Sequence, residues 1–275
     1  MKSARIGKYA RSAVLILMTV ILFFPFFWLI RSSFMTTREI FSLPMKWFPE
    51  TLRFENYIDA FQSAPFGVYF KNTFIVVGLN VFGTIFSSSF VAFGFARLNF
   101  KGKNLWFALM ISTIMIPYTV LMIPQFIGWK YIGAYNTFFP LFVPSFFGNP
   151  FFIFLTRQFY LGIPKEYDEA ALADGASYLK IYGSIIVPLS KPVLCTVGVF
   201  TFMWHWNDFM GPLIYLKDAD KRTVSLGLQT FIGQYTNEWN LLMAAATVIT
   251  IPMIIVFFLS QRYFIEGITF TGIKA

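Results

Sequence analysis

Residues able to do chemistry are few in this chain, and they gather in two places. The first is a polar run, Glu169-Ala170-Ala171-Leu172-Ala173-Asp174-Gly175-Ala176-Ser177, with two carboxylates, one hydroxyl and little side-chain bulk. The second is Trp204-His205-Trp206-Asn207-Asp208, the most polar feature within any apolar run. The sequence holds 1 His and 1 Cys, which are His205 and Cys195. One of each cannot build a metal cluster, a Ser-His-Asp triad or an intrachain disulfide. No GxxxxGKS/T phosphate loop is present, so the chain does not bind ATP by that means. What remains is recognition: a smooth charged surface for another protein, and polar side chains that could line a path.

The composition says where these residues must sit. Of 275 residues, 57% are hydrophobic and 13% charged, and the mean hydropathy is +0.63. A soluble domain is about 25% charged. The chain therefore reads as an all-α integral membrane protein, and its length allows about six spans. The net charge is +9, but the basic residues lie scattered between apolar runs. That pattern implies a membrane surface and lipid contact, and no nucleic-acid partner.

One transmembrane domain over 1–275 is expected, with spans at about 13–31, 70–95, 105–128, 137–161, 190–214 and 241–263. The first follows Lys2, Arg5, Lys8 and Arg11; it is longer than a signal-peptide core and reads as an uncleaved span kinked at Pro25. Residues 32–69 form an outer segment whose Trp47 and Phe48 suit the membrane interface. In the second span Gly78, Gly83 and Ser87–Ser89 are small enough for close helix packing. Pro117 and Pro124 interrupt the third span, and Arg157 can snorkel to the headgroups from the fourth. The outer segment 215–240 could be a loop that rests Tyr235 and Trp239 at the headgroups, or one that reaches another protein. On this count both termini and the segment 163–188 lie inside with 13 of the 22 basic residues, as the positive-inside rule requires.

The inner segment starts as a helix should, with Pro164 followed by Glu166, Asp168 and Glu169 at the positive end of the helix dipole. Gly175 can end that helix in left-handed backbone. A second short helix could carry Tyr178, Leu179, Ile181, Tyr182, Ile185 and Ile186 on its apolar side. Spacing alone leaves two readings, a helix that docks in another protein's groove or an ordinary amphipathic connector. The second patch is equally open. Asn207 and Asp208 line a solute path beside Trp206, or the group is a structural cluster with tryptophan anchors.

Glu169-Ala170-Ala171, then Gly175 after three residues, then Ile185 and Val187-Pro188, resembles the EAA loop of bacterial binding-protein-dependent ABC importer permeases; Asp174, Ala176 and Ser177 extend the likeness. Val187 stands where leucine is usual. Asn56-Tyr57, Phe93–Arg97, Met115-Ile116-Pro117, Trp206-Asn207 and Gln261–Phe264 resemble the smaller, maltose-type permease of the carbohydrate-uptake branch, with Phe93 a departure. The resemblance implies a heteromeric importer in the bacterial inner membrane. This chain would pair with a second related permease, two cytoplasmic ATPases and an external solute-binding protein. ATP and Mg²⁺ would sit on the ATPases, with no cofactor on this chain. Glu169, Ala170, Ala171, Asp174, Gly175 and Ala176 would contact the ATPase, and the tail Gly267–Ala275 could touch it too. The cargo would be a sugar or oligosaccharide. A permease for a non-sugar solute remains open, as does an ion-coupled secondary transporter, although the spans are nearly free of the acids it needs.

Overall fold

The structure is a computed structural model that describes residues 2–233 and 237–272, with side chains described for 11–233 and 237–262. Tyr235 and the last three residues of the tail lie outside the described residues. Among those described there is no β-strand, only an isolated bridge between Ile232 and Asn237. The helices are α1 (Lys2–Ser33), α2 (Glu55–Ser63), α3 (Phe66–Arg97), α4 (Lys103–Ser112), α5 (Tyr118–Tyr131), α6 (Pro150–Gly162), α7 (Glu166–Ala173), α8 (Tyr178–Leu189), α9 (Lys191–Trp206), α10 (Met210–Tyr215) and α11 (Trp239–Gly272), with shorter turns between them. Among the described residues, four helical stretches are long and apolar enough to cross a membrane: Arg11–Ser33, Phe66–Arg97, Phe139–Gly162 and Trp239–Arg262. Two bent pairs bring the number to six if each is one span, α4 with α5 at 97° and α8 with α9 at 78°.

The bends have local causes. Ile116 is extended, at φ −81° and ψ 114°, as a residue before proline tends to be, and the chain breaks there. Pro124 does not interrupt the third span as the sequence suggests; it lies inside α5. Pro25 and Pro252 likewise lie within continuous helices. The fifth apolar run does not continue as one helix to residue 214: α9 ends at Trp206 and α10 begins at Met210.

Two compact units arise. One comprises the chain up to Phe66 with Gly227–Ile251. There the outer segment is tied down by backbone acceptors. The Asn56 side chain donates to the carbonyls of Ser33 (2.9 Å) and Met35 (2.8 Å). Asn240 donates to Asn56 Oδ1 at 2.9 Å, and Thr37 donates to Asn240 Oδ1 at 2.8 Å. Arg31 lies over the Trp28 ring at 4.1 Å and donates to the carbonyls of Lys46 and Trp47.

The other unit comprises Gly67–Leu226 and the chain from Pro252 onward. Its axis is α3, whose polar side chains satisfy irregular backbone elsewhere. Asn80 donates to Leu141 O at 2.9 Å and Ser87 donates to Ser145 O at 2.8 Å. Apolar surroundings make such unpaired carbonyls costly, so these bonds let a stretch of short α and 3-10 turns exist there. A Cβ on Gly83 would lie 2.7 Å from the Phe146 ring, so glycine is required. Gly78 has nothing within 4 Å of its Cβ direction, and its smallness has no packing role here.

Candidate functional site

The polar run Glu169–Ser177 comprises the last five residues of α7 and the turn into α8. Helix α7 ends in a Schellman motif: the Ala176 N–H donates to Ala171 O at 2.9 Å and the Gly175 N–H to Leu172 O at 3.0 Å. That closure needs a left-handed residue, and Gly175 has φ +78°. The Ser177 hydroxyl then accepts from the Lys180 N–H at 3.3 Å and starts α8.

A small apolar cluster holds this turn. Ala171, Ile181 and Ile186 are buried against Ala92, Phe93 and Ala96 of α3 and Ile153 and Tyr160 of α6. Ile181 and Ile186 are five residues apart. An α-helix would not put them on one line, but Tyr182–Ile186 forms a π turn, whose wider repeat does. The six residues expected on the apolar side therefore divide. Ile181 and Ile186 go in, while Tyr178 and Leu179 stay 50% and 67% exposed. Phe93, the departure noted above, packs its ring 5.3 Å from Tyr182.

What the turn presents outward follows from the same geometry. Glu169, Ala170, Leu172, Asp174 and Gly175 are exposed, and Ala176 is half-buried. An open depression of about 480 Å³ is lined by Glu166, Tyr167, Ala170, Ala171, Asp174 and Ile185. The face is thus low in bulk beside the carboxylates, with exposed Leu172, Tyr178 and Leu179 around it.

The sequence reading missed the ion pair beneath this face. Arg97, the last residue of α3, places Nε 3.2 Å from Asp168 Oδ2, their side chains 2% and 13% exposed. Its Nη2 donates to Ile163 O at 2.9 Å, at the end of α6. Burial pushes the Asp168 carboxyl above the usual carboxylate range, against the pull of Arg97. The sequence offers only a basic turn and a helix-start acid; nothing in their spacing, 71 positions apart by numbering, links them. Arg157 also has partners the sequence does not indicate: it lies 4.2 Å over the Phe107 ring and donates to Phe95 O at 3.3 Å.

The second patch is organised differently. Trp206 is 1% exposed, with ring centroids of Phe74 and Phe202 at 5.1 and 5.2 Å. Asn207 is exposed and donates to Met203 O at 2.8 Å. Asp208 accepts from the Gly211 N–H at 3.0 Å, and its own carbonyl accepts from Ser225 Oγ at 2.5 Å. Trp204 rests on Phe152, centroids 5.0 Å apart. The patch is a helix break; Asp208 serves the local backbone, while Asn207 is exposed and also donates to Met253 Sδ on α11 at 3.5 Å. No group of three or more His, Cys, Asp or Glu side chains that could hold a metal occurs among the described residues.

Residues 84–269 match the family described as "Binding-protein-dependent transport system inner membrane component". The chain is 34% identical over 274 residues to the probable ABC transporter permease protein YurM of Bacillus subtilis, covering 98% of this chain and 89% of that one. It is 33% identical over 263 residues to the trehalose/maltose transport system permease protein MalG of Thermococcus litoralis, covering 94% of each. A crystal structure of a bacterial ABC transporter involved in import of the acidic polysaccharide alginate contains a chain of the same fold, with TM-score 0.83, 21% identity and coverage of 96% and 98%.

Proposed function

This chain belongs to the family of inner membrane components of binding-protein-dependent transport systems, the ABC importer permeases, and we propose that its α7–α8 turn is where a cytoplasmic ATPase docks. The chain is a multi-pass membrane transport subunit that works with other components of such a system. The proposal assigns those components: a second permease, two ATPases that carry ATP and Mg²⁺, and an external solute-binding protein. It also places both termini and residues 163–188 on the cytoplasmic side. The observation that carries it is the two-sided turn. Glu169, Ala170, Asp174 and Gly175 face outward while Ala171, Ile181 and Ile186 root the same turn in the permease. A partner gripping the outer side would move the apolar cluster with it, a rigid transmission that suits alternating access. The proposed cargo is a sugar or oligosaccharide, supported by the trehalose/maltose permease among the relatives.

The test is Gly175→Asp. The site of a Cβ there is open space, so the first side-chain atom meets no clash. The cost of the substitution is backbone strain of about 1–2 kcal/mol, with a further electrostatic cost from a carboxylate at the C-terminal end of α7 beside Asp174. The expected outcome is a variant present in the membrane with its partners, able to hydrolyse ATP, and impaired in uptake of trehalose or maltose. Unimpaired uptake by Gly175→Asp would sink the coupling role. Failure of any ATPase to co-purify with the unmodified chain would sink the docking assignment.

A further inference from the structure

We propose that Arg97 is a positioning residue for transport, gripping Asp168 and Ile163 so that displacement of α7 is carried to the span α3. The proposal rests on the α7–α8 turn being the ATPase docking element. The apolar cluster under the turn is non-directional; it holds the turn near α3 but resists sliding weakly. Arg97 supplies direction. Its planar guanidinium meets a carbonyl at the end of α6 and a carboxylate in the first turn of α7. It is also the terminal residue of a 32-residue helix, so a push on it acts along the whole span. The pair is enclosed, and loss of either partner leaves a buried charge. The two charges face each other at 3.2 Å without an aligned hydrogen bond, and Asp168 Oδ1 has no partner among the described residues, so a better-aligned bridge is open to the pair when the turn moves.

Spin labels test the idea in the assembled transporter. Ile75→Cys on α3 and Ser184→Cys on α8, in a Cys195→Ser background, report the span-to-turn distance without nucleotide and after trapping with ATP and vanadate. The expected result for Arg97 intact is the same distance in both states. In Arg97→Ala the distance should shift on trapping, and trehalose or maltose uptake should fall by roughly two- to thirtyfold while ATP hydrolysis persists. Asp168→Ala, which leaves the Arg97 bond to Ile163 and removes the grip on α7, should shift the distance on trapping in the same way. A distance that changes on trapping with Arg97 intact overturns the proposal. So does Arg97→Ala with unaltered distance and uptake, or Asp168→Ala with an unaltered distance. If Arg97→Ala is not recovered from membranes, Arg97→Lys, which keeps the charge and loses the fork, is judged by the same outcomes. These failures leave the docking reading standing if the ATPase is still bound, whereas absence of a bound ATPase removes the docking reading itself.

Discussion

The turn at Glu169–Ser177 and the break at Trp204–Asp208 are both polar interruptions of an apolar chain, yet they direct their polar groups in opposite ways. At the break, Asp208 bonds the Gly211 N–H and Trp206 is enclosed by phenylalanine rings, so the residues serve their own chain. At the turn, the backbone closes its own hydrogen bonds through the Schellman motif. Its side chains are left free to meet something else, and the apolar anchors are separate residues. Where backbone satisfies itself, polar side chains are available for a partner; where it cannot, they are consumed locally.

Substitutions can break or sharpen this contrast. Trp206→Ala should have the largest effect, a loss of about 3–5 kcal/mol from an emptied enclosed site. Thermal unfolding in detergent measures it, and a small loss would mean the break is not a packing feature. Gly211→Ala comes next. Its Cβ would fall 2.5 Å from Asp208 Oδ2 and 3.1 Å from Leu141 Cδ2, so overpacking should cost about 1–3 kcal/mol by the same assay. Leu179→Ala should be smallest in stability, within about 0.5 kcal/mol for an exposed position. It should nonetheless reduce the ATPase that co-purifies. Equal retention would remove Leu179 from the docking face and narrow that face to Glu169–Gly175.

Much of the turn was legible because its signals are local. Pro164, the first-turn acids and Gly175 each act within a few residues, and the left-handed closure at Gly175 follows from glycine's freedom. Long apolar runs likewise declare helices, since every backbone group must be satisfied inside the segment. The division of Tyr178 and Leu179 from Ile181 and Ile186 was not legible, because it depends on a π turn that ordinary helical periodicity does not announce. Nor was the early end of α9. The apolar run continues to residue 214, and only the bond from Gly211 to Asp208 shows that the helix has stopped.

By itself, then, the sequence determined that this is a helical membrane chain with a capped turn of small and acidic residues, because hydropathy, helix propensity and glycine geometry are properties of neighbours along the chain. Tertiary structure alone decided that Arg97 meets Asp168 across 71 positions, that Gly83 rather than Gly78 must be small, and that Trp206 is packed rather than presented. These depend on which surfaces the fold brings together, and no local pattern of residues encodes that.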